Sequence, residues 1–93
     1  MGYNKFKILI VEDDRIISTS LQTILEAGGY RVISAERCMQ GLMLFSSHQP
    51  DLVILDLGLP DEDGEYFLQQ VRLESNTPIL ILSSRSDEQD KVS

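Results

Sequence analysis

Three stretches of the chain carry residue types that can do chemistry, and each directly follows a run of four apolar residues. Glu12-Asp13-Asp14 follows Ile8-Leu9-Ile10-Val11, Asp56 closes Leu52-Val53-Ile54-Leu55, and Ser83-Ser84 closes Ile79-Leu80-Ile81-Leu82. Carboxylates brought together in a partly desolvated crevice repel one another and raise one another's pKa values, so such a cluster destabilises the fold unless a cation neutralises it. Carboxylate and carbonyl oxygens are hard ligands, which suits Mg²⁺ or Mn²⁺. Mg²⁺ in turn takes one or two protein carboxylates and shares oxygens with a phosphate. A carboxylate beside that ion can attack phosphorus and form an aspartyl-phosphate, with a hydroxyl such as that of Ser83 holding a phosphoryl oxygen. The segment Leu57-Gly58-Leu59-Pro60-Asp61-Glu62-Asp63-Gly64 reads as a turn-rich loop, stiffened by Pro60 and freed at Gly64. Such a loop can turn the Gly58 carbonyl toward a metal.

This chemistry requires the runs Ile8–Val11 and Leu52–Leu55, the first and third strands in chain order, to be neighbours. Unbroken apolar runs of this length fit strands covered on both faces, the habit of parallel sheets. Arg31-Val32-Ile33-Ser34-Ala35 is more mixed and reads as a strand nearer an edge. Between the strands the period becomes helical. Ile17, Leu21, Ile24 and Leu25 place an apolar face on a helix over about 15–27, with Asp14 as its N-cap and Gly28-Gly29 as its stop. Cys38, Leu42 and Phe45, flanked by Met39 and Met43, predict a second helix ending before Pro50; Phe67, Leu68 and Val71 predict a third. Ser86-Asp87-Glu88-Gln89 has capping-box spacing and opens a fourth. Strands alternating with helices imply right-handed βαβ units around a parallel sheet, with ligand chemistry at the carboxyl ends of the strands.

Composition narrows the class. The chain has 93 residues, 8 basic and 15 acidic, for a formal charge of −7. A single domain is expected, burying roughly 60–65 % of its unfolded surface. With 42 % apolar and 25 % charged residues it reads as globular. The acidic balance argues against direct binding to nucleic acid or an anionic membrane. One cysteine, Cys38, excludes a disulfide framework and points to a reducing, cytoplasmic compartment. No apolar run approaches the roughly 20 residues of a membrane span.

Taken together in order and spacing, Ile8–Asp14, Pro50–Gly64 and Pro78–Ser84 resemble the receiver domain of two-component response regulators over essentially the whole chain. The resemblance implies a flavodoxin-like (CheY-like) doubly wound parallel sheet of strand order 2-1-3-4-5. It implies that Asp56 is the phosphoacceptor, taking a phosphoryl group from a sensor histidine kinase. Asp13 and Asp56 would hold Mg²⁺ by side chain, Gly58 by its carbonyl and Glu12 through water. Ser83 falls on the phosphoryl-sensing hydroxyl position and Ser84 on the small residue beside it. The run Leu55-Asp56-Leu57-Gly58-Leu59-Pro60, with Leu82-Ser83-Ser84-Arg85-Ser86, looks most like the OmpR/PhoB type of transcription regulator, those controlling potassium transport among them. The implied protein is a switch rather than an enzyme, catalysing at most its own phosphorylation and dephosphorylation. Any DNA-binding output domain is expected beyond residue 93, with the receiver occupying 1–93.

The departure from the family lies at the end, where the chain stops at Ser93 before the fifth strand and its Lys; Lys91 belongs to the expected fourth helix. The reading is therefore of a fragment whose Ile79–Leu82 strand forms an apolar edge, to be covered by unseen residues, by a homodimer or by an exchanged-edge oligomer. Two rivals follow. A pseudo-receiver, purely an interaction module, fits the missing Lys. A Mg²⁺-dependent phosphatase with an Asp nucleophile would want a second Asp where Gly58 stands. Several residues have plainer readings: Asp14 as a cap, Asp61, Glu62 and Asp63 as a solvated loop, and Cys38, Met39, Met43 and Phe45 as core. His48 reads as a cation at a helix end.

Overall fold

The computed structural model describes residues 6–82, and in it every expected apolar run becomes a strand of one parallel sheet. The elements run β1 (Lys7–Val11), α1 (Arg15–Ala27), β2 (Arg31–Ala35), α2 (Cys38–His48), β3 (Leu52–Asp56), α3 (Gly64–Arg72) and β4 (Ile79–Leu82). The strand order is β2-β1-β3-β4. Ser83, Ser84, the capping box from Ser86 and Lys91 lie outside the described residues.

Pleating sorts each central strand into two faces. Leu9, Val11, Val53 and Leu55 point to one side, where Cys38, Phe45, Leu59, Phe67 and Val71 complete the larger core. Ile8, Ile10 and Ile54 point to the other, against Leu21 and Leu25 of α1. Phe45 and Phe67 meet edge to face, their centroids 6.5 Å apart. Gly41 lets α2 lie close to the sheet, since a Cβ there would stand 3.0 Å from Val11 Cγ2 and 3.1 Å from Phe67 Cε2. The mixed strand β2 is at an edge, as its composition predicts. β4 carries a run as apolar as β1 but pairs only with β3 among the described residues, which leaves Leu80 and Ile81 exposed.

Helix α1 begins at the expected cap: Asp14 Oδ1 accepts the N–H groups of Ile16 (2.9 Å) and Ile17 (3.2 Å). It ends at Gly28, followed by Gly29 at φ 95°. Two expectations about helix faces need correction. Met39 and Met43 are 53 % and 65 % exposed, not core. The face of α2 that meets the sheet is Cys38, Gly41 and Phe45, and a residue one position later stands about 100° round the helix. Likewise Ile24 flanks the α1 face made by Leu21 and Leu25, and is exposed.

At the amino-terminal rim, the first residue of β1 is tied to the residue just before β3. The Lys7 N–H donates to Asp51 Oδ2 (2.8 Å), the Asp51 N–H donates back to the Lys7 carbonyl (2.8 Å), and Lys7 Nζ donates to the His48 carbonyl (2.9 Å). Gln49, at φ 50°, turns the chain between α2 and this contact.

Candidate functional site

Register builds the site. In the β1–β3 pair, Val11 lies opposite Leu55, so Glu12 and Asp56 leave adjacent parallel strands at the same rim. The Glu12 N–H donates to the Ala35 carbonyl of β2 at 3.0 Å, which extends the β1–β2 ladder by one residue and fixes where the acidic turn starts. Glu12, Asp13 and Asp56 each offer a carboxylate oxygen within 4.8 Å of the other two. Glu12 and Asp56 are both 1 % exposed, and Asp13 is half-buried. Asp14, the fourth acid of the set, faces away as the cap of α1.

Two of the three carboxylates are half satisfied. Glu12 Oε2 accepts the Asp14 N–H at 3.0 Å, and Asp56 Oδ1 accepts the Gly58 N–H at 3.2 Å. Glu12 Oε1, Asp13 Oδ1 and Asp56 Oδ2 are buried with no hydrogen-bond partner among the described residues. A buried acceptor without a partner is costly, and three in one place leave a cluster of unsatisfied negative oxygens. Burial raises the Glu12 carboxyl from 4.5 to about 7; the Asp14 N–H opposes this, and the charges of Asp56 and Asp13 add to it. Hard, anionic, unpartnered oxygens gathered within 4.8 Å of one another fit Mg²⁺. Glu12, Asp13 and Asp56 are the residues that could hold it.

Gly58 is exposed and stands in the loop leaving β3. That loop is held at its base by the Gly64 N–H, which donates to the Leu57 carbonyl at 2.9 Å. Leu59 buries its side chain in the core. Ser83 and Ser84 lie outside the described residues, but Leu82, immediately before them, pairs with Asp56 across β3 and β4. The structure thus brings Glu12, Asp13 and Asp56 together, with the Gly58 N–H on Asp56.

Asp61 departs from its plain reading. Its Oδ1 accepts the Cys38 N–H at 2.7 Å and its Oδ2 accepts the Met39 N–H at 3.0 Å, so it caps α2 from the β3–α3 loop. The signal in the sequence was a helix start without a cap: Arg37 occupies that position and makes no side-chain capping bond.

A family match and the curated relatives decide the assignment. The family described as the response regulator receiver domain matches residues 8–93. The chain belongs to the response regulator receiver family. Curated relatives include the KDP operon transcriptional regulatory protein KdpE of Escherichia coli (strain K12), 48 % identical over 85 residues, which are 91 % of this chain and 38 % of that protein. The transcriptional regulatory protein YxdJ of Bacillus subtilis (strain 168) is 43 % identical over 86 residues, 92 % of this chain and 38 % of that protein. The chain therefore spans well under half the length of these curated relatives. Among solved structures, the non-phosphorylated HemR receiver domain from Leptospira biflexa matches with a TM-score of 0.80 at 36 % identity, covering 92 % of this chain and 70 % of that one. The BeF3-activated N-terminal receiver domain of Klebsiella pneumoniae RstA matches with a TM-score of 0.78 at 30 % identity, covering 87 % and 72 %. The CheY-like fold of the receiver is thus shared by its neighbours. No described helix of the receiver is long and apolar enough to cross a membrane.

Proposed function

We propose that this receiver is a Mg²⁺-dependent phosphorylation switch in which Asp56 accepts a phosphoryl group from a sensor histidine kinase. The carrying observation is Asp56 itself: Oδ1 is fixed by the Gly58 N–H, and Oδ2 is buried beside Glu12 and Asp13 without a partner among the described residues. A carboxylate oriented by one oxygen presents the other as nucleophile. In the transfer, an Asp56 oxygen bonds to phosphorus as the bond from phosphorus to the donor's histidine nitrogen breaks, and that imidazole leaves with the bonding pair. Mg²⁺, when bound by Asp13, Asp56 and the Gly58 carbonyl, supplies the charge neutralisation that the transferring phosphoryl group needs. Glu12 holds the acidic turn through the Asp14 N–H, and would support the ion through water. Ser83 and Ser84, which follow the strand paired with Asp56, contribute the hydroxyl and the small residue that receive the phosphoryl oxygens.

Phosphorylation then biases the loop and the fourth-helix surface, used for dimerisation or for releasing an output. The curated relatives are transcriptional regulators of more than twice this length, which supports a DNA-binding output beyond residue 93 and a cytoplasmic setting. The test is incubation of wild-type protein and Asp56→Asn with acetyl phosphate and MgCl₂, read by intact mass. Wild type should gain one phosphoryl group, lose it on hydroxylamine treatment, and gain none in EDTA. Label on Asp56→Asn, or none on wild type, would overturn the assignment.

A further inference from the structure

Helix α2 has a local cap position that is not used and a remote residue that does its work. Arg37 has the extended backbone of an N-cap, φ −135° and ψ 156°, yet offers no side-chain acceptor. The two leading N–H groups of the helix, those of Cys38 and Met39, both end on the Asp61 carboxylate, 23 residues downstream of Cys38. Free N–H groups at a helix start need acceptors and favour a negative one. Desolvation raises the Asp61 carboxyl, but the backbone N–H groups of Met39, Cys38, Asp61 and Glu62 together outweigh it and hold the group below the ordinary carboxylate range.

The same residue is an anchor of the loop that leaves Asp56. The other anchors are the Gly58 N–H on Asp56, the buried Leu59 side chain and the Gly64 N–H on Leu57, and the two hydrogen bonds are closed within β3, its loop and α3. Asp61 instead ties the loop to a separate helix by two hydrogen bonds. We propose that Asp61 is a positioning residue, a clasp that fixes the Leu57–Asp63 loop against α2 and so holds Gly58 in place beside Asp56. As far as Gly58 serves the metal, this rests on the function proposed above. Because α2 has no side-chain cap of its own, a displacement of the loop also releases the first turn of α2. Loop and helix therefore move as one unit.

Three variants of the intact protein separate a clasp from a mere cap: Asp61→Ala, Asp61→Asn, and Asp61→Ala combined with Arg37→Ser, which gives α2 a local cap. The readouts are amide hydrogen exchange at Met39, Leu57 and Gly58, and a MgCl₂ titration followed by amide shifts. Asp61→Ala should speed exchange at all three amides by about tenfold. It should also weaken Mg²⁺ binding by about tenfold, as loss of a supporting group near a metal does. Asp61→Asn, keeping one acceptor oxygen, should fall between. The double variant should recover protection at Met39 but neither the loop amides nor the Mg²⁺ affinity. Wild-type loop exchange in Asp61→Ala, or recovery of loop and metal together in the double variant, would overturn the clasp. If wild type shows no Mg²⁺ response, the metal reading fails, while exchange at Leu57 and Gly58 still decides whether Asp61 holds the loop.

Discussion

Glu12 and Asp56 follow paired residues of neighbouring strands, and each keeps one buried carboxylate oxygen without a hydrogen-bond partner among the described residues. The pH dependence of stability follows from this. The folded state holds Glu12 at about 7 against 4.5 when exposed, because burial and the neighbouring acids disfavour its charge. The folded form therefore binds more protons between those values, and its stability falls as pH rises through 7. Urea denaturation without metal should show lower stability at pH 8 than at pH 5, and Glu12→Gln should flatten that slope. An unchanged slope in the variant would contradict the assignment.

Metal should reverse the loss. At a MgCl₂ concentration ten times the Kd, linkage adds about 1.4 kcal/mol at pH 8, and EDTA removes it. Asp56→Asn relieves repulsion among the three acids, so without metal it should be more stable than wild type by about 1–3 kcal/mol, and it should lose most of the Mg²⁺ response. Thermal melts with and without the ion check both halves.

Gly64 supports the loop by having no side chain. A Cβ there would stand 2.6 Å from Leu57 Cα and 2.9 Å from the Asp56 carbonyl, both backbone atoms that cannot step aside. Gly64→Ala should cost about 1–3 kcal/mol of stability, as overpacking does. Gly28→Ala meets nothing closer than 3.4 Å and should stay within about 0.5 kcal/mol of wild type. Denaturant midpoints compare the two.

Cys38 should be inert as a nucleophile. Burial first, then the charges of Asp61 and Glu62, push its thiol up to about 11 from 9. The stabilising effect of this shift is full below 9 and is lost as pH rises through 11. Iodoacetamide at pH 8 should therefore leave the folded protein unmodified while alkylating it in urea; rapid labelling of the native form would contradict this.

Much of this arrangement is legible in the residue order. The apolar runs ending at Val11, Leu55 and Leu82 give the strands, and the acids after Val11 and Leu55 give the site, because parallel strands must end at a common rim. What periodicity missed is azimuth and reach. Met39 and Met43 flank an apolar stripe and look like core, but only the packing against Val11 and Phe67 decides which flank is covered. Asp61 looks like a solvated loop acid because its partners, Cys38 and Met39, are far away in sequence. Long-range capping leaves a trace in the chain only as a vacancy, here Arg37 at the start of α2.

The mutual pairing of Lys7 and Asp51 at the amino-terminal rim has a consequence for the opposite end of the sheet. These two residues act as alignment pins: the number of residues counted from Lys7 to Glu12 and from Asp51 to Asp56 is the same, so the two acids arrive level. Adding or deleting one residue between a pin and its acid would carry one carboxylate past the other and to the opposite face. Length changes in the Glu74–Thr77 turn leave both counts intact and should be tolerated. The chemistry of the site is thus measured out by arithmetic along the backbone, from a starting line on the far side of the molecule.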